Sequence, residues 1–115
     1  MRVTSQLFVS ALIRKVFSTG GFAAIEHRGA DDAGAVFIKC REQIDTVTLY
    51  GPAPQTSYDS GRPQDRQFMA LVSSEASEEI DKRIEKELRF DPDIWVIEIE
   101  PVGATADDLL TLMMP

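Results

Sequence analysis

From Phe22 to Tyr50 three short runs alternate apolar with polar side chains, a period-two pattern that suits a half-buried antiparallel sheet. Phe22 to Arg28 and Ala35 to Arg41 flank Gly29-Ala-Asp-Asp-Ala-Gly34, whose residues tolerate turn conformations, so the two runs are expected to form a hairpin. With Gly29 opposite Gly34, one face carries Ala23, Ile25, His27, Val36, Ile38 and Cys40. The other carries Phe22, Glu26, Arg28, Phe37, Lys39 and Arg41. A turn near Glu42-Gln43-Ile44 returns the chain as Asp45 to Tyr50, with Val47 and Leu49 continuing the apolar face and Thr46, Thr48 and Tyr50 the mixed one. The meander predicts a greasy underside and a wetter, aromatic-bearing topside.

Helices and further strands surround it. Thr4 or Ser5 can cap a helix whose Phe8, Val9, Leu12, Ile13, Val16 and Phe17 recur at three- and four-residue spacing, with Gly20-Gly21 as its stop. Leu7 and Ala11 widen its stripe beyond what one sheet face requires; deep packing is the simpler explanation and a second subunit the other. After a proline-rich loop, Gly51 to Arg66, the run Gln67 to Ser73 is apolar on both parities, as is Asp93 to Glu100, so both are expected to be covered strands. Between them lies a surface helix capped by Ser74 or Ser77. Ala76, Ile80, Ile84 and Leu88 form its buried stripe, its acidic residues come early and its basic ones late, and Glu78–Lys82, Glu79–Arg83 and Glu85–Arg89 are spaced to pair. A short helix from Thr105 or Ala106 is expected to carry the apolar C-terminal residues. The expected class is α+β, a single domain of residues 1–115 whose mostly antiparallel sheet has about five strands in the order helix, three-strand meander, strand, helix, strand. A layered α/β sandwich is the alternative.

Composition then removes chemistries. One cysteine, Cys40, excludes an intrachain disulfide, a CxxC redox pair and a multi-thiolate zinc site, and points to the cytoplasm. One histidine, His27, excludes a His-rich metal site contributed by this chain alone. A formal charge of -7 with no basic stripe disfavours nucleic acid as a partner. The longest apolar stretch, Leu7 to Ile13, is too short to span a membrane, and the Arg14-Lys-Val-Phe-Ser-Thr-Gly-Gly21 run after it lacks the cleavage pattern of a secretory leader. No Walker A sequence, phosphate-binding glycine loop or GxSxG elbow is present.

The remaining constellations are weighed against their ordinary readings. His27 and Cys40 share a face but lie roughly 13 Å apart along the strands, so they read as a satisfied imidazole and a buried thiol rather than a catalytic pair. Asp91, Asp93, Glu98 and Glu100 concentrate charge around one strand without matching a metal motif, and Asp91-Pro-Asp93 reads as turn chemistry with Asp91 able to pair Arg89. No cofactor or metal is expected. Trp95 reads as core. Tyr50, Gln55, Tyr58, Arg62 and Arg66, in or beside the long loop, are the leading contact residues, because long loops next to an aromatic-bearing face often bind partners. Arg89, Asp91 and Asp93 are the candidates for a rival, carboxylate-based site.

Ala30-Asp-Asp-Ala-Gly-Ala-Val-Phe-Ile-Lys39, Leu49-Tyr-Gly-Pro-Ala-Pro-Gln55 and Arg89-Phe-Asp-Pro-Asp-Ile-Trp-Val-Ile-Glu98, in that order, resemble a family of small bacterial proteins catalogued as a domain of unknown function. Leu12-Ile-Arg14 and Gly20-Gly-Phe-Ala-Ala24 fit the same resemblance, which runs to about Pro101. It implies a bacterial, intracellular, one-domain α+β protein, with no assigned activity and no catalytic residue to carry over. The leading expectation is thus a non-catalytic protein-interaction or adaptor domain with an unknown protein partner, a homodimer being one form it could take. The alternative is a small-molecule binder or carboxylate-based enzyme near Arg89, Asp91 and Asp93.

Overall fold

A computed structural model describes residues 3–43, 45–54 and 66–112. Its elements are α1 (Ser5–Ser18), β1 (Phe22–His27), β2 (Val36–Gln43), β3 (Thr46–Pro52), β4 (Gln67–Ser74), α2 (Ser77–Phe90), β5 (Trp95–Glu100), α3 (Ala106–Leu109) and β6 (Thr111–Leu112). The class is the expected α+β, with a mostly antiparallel sheet that has six strands where about five were expected, in the order β1-β5-β2-β3-β4-β6. The added strand comes from the C-terminal segment. Its helix stops after Leu109, and Thr111–Leu112 then pair in parallel with Gln67 and Phe68. Met113 and Met114, expected to continue that helix, lie outside the described residues.

The hairpin expectation is corrected. β5 lies between β1 and β2, antiparallel to the first and parallel to the second. The segment from Arg28 to Ala35 therefore spans two strand spacings, roughly 10 Å, rather than one. It is long enough to do so, and its backbone closes over the start of β5: Ala30 N–H donates to the Asp93 carbonyl at 2.9 Å and Trp95 N–H to the Ala35 carbonyl at 2.7 Å. The same segment receives α1. Ser5 and Gln6 N–H donate to the carbonyls of Asp32 and Asp31, and the buried Ser5 hydroxyl donates to the Gly34 carbonyl at 2.6 Å.

A second correction concerns which side chains share a face. Ile38 stands opposite Tyr50 and Cys40 opposite Thr48, whereas Lys39 stands opposite Leu49 and Arg41 opposite Val47. The alternations of β2 and β3 are therefore out of phase, because an irregularity between Arg41 and Gln43 shifts the register, and a one-residue shift moves every side chain to the other face. There is consequently no single greasy underside. Val36, Ile38, Cys40, Phe68, Trp95, Ile97 and Ile99 pack beneath α1 and α3, while Phe37, Val47, Leu49, Ile94 and Val96 pack with Ile80 and Ile84 of α2 on the opposite face. The helices are divided between the two sides, which is why β5 is apolar on both parities. Full burial of a side chain such as Ile38, Ile97 or Ile99 contributes about 1.5–3 kcal/mol.

The helix signals fare unevenly. The Thr4 hydroxyl accepts Leu7 N–H at 3.2 Å, and Gly20, at φ 88°, lets the chain leave α1 in the left-handed conformation expected of a helix stop. Val9, Leu12 and Val16 form its buried stripe, but Leu7 is 62% exposed and Ala11 is exposed too, so deep packing does not explain the stripe's width. Neither serine caps α2: Ala76 occupies that position, and Ser74 instead accepts the Ala76 N–H at 2.9 Å. The ion pair found along α2 is Arg83 with Glu87 at 2.8 Å.

Candidate functional site

The sheet brings its chemistry-bearing residues into three separate places. The first lies where α1, β2, β3 and β4 begin or end together. Ala33, Ala35, Pro52, Ala53 and Phe68 line a cleft of about 190 Å³, with Arg66 and Gln67 beside them. Arg66 Nη2 donates to the Val3 carbonyl at 2.9 Å and the Ser5 hydroxyl at 3.2 Å, and its guanidinium lies 5.4 Å from the centre of the Phe8 ring. Phe8 in turn stacks on Phe68 at 5.7 Å. A long, flexible cation is thereby held in one orientation above walls made largely of methyl groups and a ring.

The second place is a polar hollow of about 150 Å³ under α3, lined by Cys40, Glu42, Thr46, Thr48 and Tyr50. Glu42 Oε1 accepts the Ala106 N–H at 2.8 Å and the Cys40 thiol at 3.8 Å. Burial, reinforced by the charge and hydrogen bond of Glu42, pushes the Cys40 thiol up to about 12. Burial also raises Tyr50, with the charges of Glu42, Cys40 and Asp107 adding to the effect. Neither group is poised as a nucleophile, since both are held in their protonated forms. From the ordinary thiol value of 9.0 to about 12, thiolate falls about a thousandfold, so alkylation of Cys40 at pH 8 is expected to be slow and to follow unfolding. Between those two values the unfolded chain has lost the thiol proton while the folded chain keeps it. The contribution of Cys40 to stability is therefore full below pH 9 and declines as pH rises toward 12, and urea melts at pH 8 to 11 should show a flatter decline for Cys40→Ala.

The third place is the charged surface of β1, β5 and β2 on the α2 side. Lys39 Nζ meets Glu26 at 2.8 Å and Asp81 at 3.5 Å, and Arg41 meets Glu100 at 3.8 Å. Partial burial works against the Lys39 ammonium, but the hydrogen bond and charge of Glu26, with Asp81 and Glu98, outweigh it and raise its pKa. Glu98 and Glu100 do share a face, where cations answer them. Among the described residues no group of three His, Cys, Asp or Glu is placed to hold a metal ion.

These positions redistribute the residues singled out from sequence. Tyr50 and Arg66 line different cavities, and Tyr50 sits beside Cys40 rather than beside Phe37. Gln55, Tyr58 and Arg62 lie outside the described residues. Arg89 is exposed near the end of α2; Asp91 Oδ1 accepts the Asp93 N–H at 3.0 Å, the turn role read from Asp91-Pro-Asp93. The cleft and the hollow described above are lined by other residues. His27 Nδ1 lies 2.8 Å from the Ile94 carbonyl, and β5 separates its strand from that of Cys40. The small residues of the first cleft, Ala33, Ala35 and Ala53, escaped the sequence reading because alanine gives no chemical signal until tertiary structure gathers it.

Residues 3–106 match the family model described as "Protein of unknown function (DUF1491)". The chain belongs to the DUF1491 family. Protein Atu0922 from A. tumefaciens, solved in solution, is 44% identical, superimposes with a TM-score of 0.82, and the match covers 100% of this chain and 98% of that one. The crystal structure of a DUF1491 family protein from Caulobacter crescentus is 29% identical with a TM-score of 0.79, over 96% of this chain and 99% of the other. The NMR structure of a DUF1491 family protein from the same organism is 30% identical, also with a TM-score of 0.79, over 99% of each chain. Comparison with curated proteins gave no match. The sequence resemblance to a bacterial domain of unknown function is thus correct, and its relatives share this fold. Among the described residues no helix is long and apolar enough to cross a membrane.

Proposed function

We propose that this DUF1491 domain is a non-catalytic protein-interaction module of the bacterial cytoplasm that docks a partner segment on the cleft beside Arg66. The observation that carries this reading is a guanidinium fixed by Val3, Ser5 and Phe8 over a cleft lined by Ala33, Ala35, Pro52, Ala53 and Phe68. A group already held in its binding orientation loses little side-chain entropy on docking. The methyl-lined walls select a short apolar segment of that partner, seated beside the fixed guanidinium. A free, buried Cys40 thiol accords with a reducing compartment. The rival carboxylate-enzyme reading draws less support, since Asp91 is engaged by the Asp93 N–H and Arg89 is exposed.

Capture from native extract tests the proposal. Ala33 is exposed, so Ala33→Trp should fold while filling the cleft, and Arg66→Glu should reverse its charge. Both variants are expected to lose the same partner, at least tenfold in recovered amount, or about 1.4 kcal/mol. If Ala33→Trp recovers the wild-type set of partners in wild-type amounts, the cleft is not the contact surface.

A further inference from the structure

β1 ends the sheet, and among the described residues nothing pairs with its outer side. An exposed strand edge is a template for another strand, and proteins commonly blunt it with lysine or proline. β1, Phe22-Ala-Ala-Ile-Glu-His27, contains neither. Its one carboxylate, Glu26, is already bound by Lys39 at 2.8 Å, so the edge is a neutralised stretch on a chain of net charge -7. Three large apolar side chains also gather there. Phe22 and Ile25, on opposite faces of β1, are 48% and 40% exposed, and Phe17 at the end of α1 is 52% exposed.

We infer that this edge is the interface of a homodimer in which β1 pairs antiparallel with β1 of a second copy, extending the sheet across a two-fold axis. Helix spacing argues for a second copy over a foreign strand. α1 packs on both β1 and β5. Pairing about an axis normal to the sheet brings the two α1 helices to the same side, two strand spacings or roughly 10 Å apart. Helices pack at about 8–10 Å. The flank of α1 that would meet its mate is the one opposite Phe8, which faces Phe68, and helical geometry puts Ile13 and Phe17 there, one turn apart. A lone peptide strand would satisfy the edge but leave that flank bare; a second copy covers both layers. It also answers the exposure of Phe17 at the end of α1.

The register follows from parity and charge. Pairs must share a face, and Ala24 at the axis sets Phe22 of one copy against Glu26 of the other and Ala23 against Ile25, keeping the two Glu26 side chains apart. Phe17, Phe22 and Ile25 offer roughly 280 Å² of apolar surface per copy at ~200 Å² for a large side chain. Over both copies that is roughly 560 Å², and the strand backbones with the remaining α1 flank have to supply the rest of the ~1,000 Å² that a specific interface requires. This inference does not depend on the Arg66 cleft, which lies at the β3–β4 end of the molecule's loops.

Sedimentation equilibrium of the full chain between about 1 μM and 1 mM tests it, a range that brackets an ordinary dimer dissociation constant. The wild type should reach twice the 12.8 kDa of one chain. Phe17→Lys/Ile25→Lys, which places charges at two exposed positions of the interface, should remain at the single-chain mass with an unchanged circular-dichroism spectrum. Phe90→Lys, at the far end of α2 and 88% exposed, should dimerise as the wild type does. A wild type that stays monomeric throughout, or a double variant that dimerises normally, overturns the proposal. Should the double variant fail to fold, amide exchange of the wild type decides: β1 amides pointing away from β5 must gain protection with concentration, and fast exchange at about 1 mM overturns it.

Discussion

Trp95→Ala is expected to lower the unfolding free energy by about 3–5 kcal/mol, the usual cost of deleting a large buried aromatic. Trp95 is 1% exposed at the start of β5, and its indole N–H donates to the Ala30 carbonyl at 2.8 Å. The Arg28 guanidinium lies 5.1 Å from the centre of the ring. The side chain therefore fills the core beneath α1 and also ties the Arg28–Ala35 segment to the strand it encloses. Trp95→Phe keeps most of the volume and loses the hydrogen bond, so it should cost about 1–2 kcal/mol. Because the chain has one tryptophan, urea melts of both variants are followed by far-ultraviolet circular dichroism rather than fluorescence. A domain of this size has about 5–15 kcal/mol of stability in total, so Trp95→Ala should remove a large share of it. Equal losses for the alanine and phenylalanine variants would show that packing is not the dominant contribution.

Gly34→Ala is expected to cost about 3–5 kcal/mol as well, for a different reason. A methyl group at this position overlaps the Asp93 carbonyl oxygen and crowds the Ala30 backbone at 3.0 Å, so the obstacle is main chain rather than a side chain free to turn away. The Gly34 carbonyl also accepts the Ser5 hydroxyl, and any shift that relieves the overlap moves the contact docking α1. Gly20→Ala is the comparison. It meets nothing within 4 Å, and its cost of about 1 kcal/mol comes from its φ of 88° alone. Urea melts of the two variants should separate by at least about 2 kcal/mol, and similar losses would mean that the segment over β5 relaxes freely.

Trp95 is the core residue that the sequence indicates, whereas Gly34 lies where the hairpin expectation failed. Gly29-Ala-Asp-Asp-Ala-Gly34 suits a turn whether its flanking strands are neighbours or stand two places apart. The one legible clue was its length, since a tight hairpin needs only two connecting residues. Gly34 is required because the backbone of another strand passes against it, not because of a hairpin turn. The same holds for the candidate sites. Asp91-Pro-Asp93 could be read as a turn because the signal is local, and it is one. Tyr50 was assigned to a wetter face because the alternation was carried from β2 into β3 without the register shift after Arg41, and it lies under α3 instead.

By itself the sequence determined that three runs between Phe22 and Tyr50 are strands, that two amphipathic helices pack by one stripe each, and that Asp93 to Glu100 lies inside. Those outcomes depend on the periodicity with which neighbouring side chains leave water, and periodicity is written locally. Tertiary structure alone decided that β5 enters between β1 and β2, that α1 and α2 take opposite faces, and that three alanines, Pro52, Phe68 and Arg66 meet at one cleft. Strand pairing joins residues distant along the chain, and a period of two looks the same whichever neighbour satisfies its hydrogen bonds.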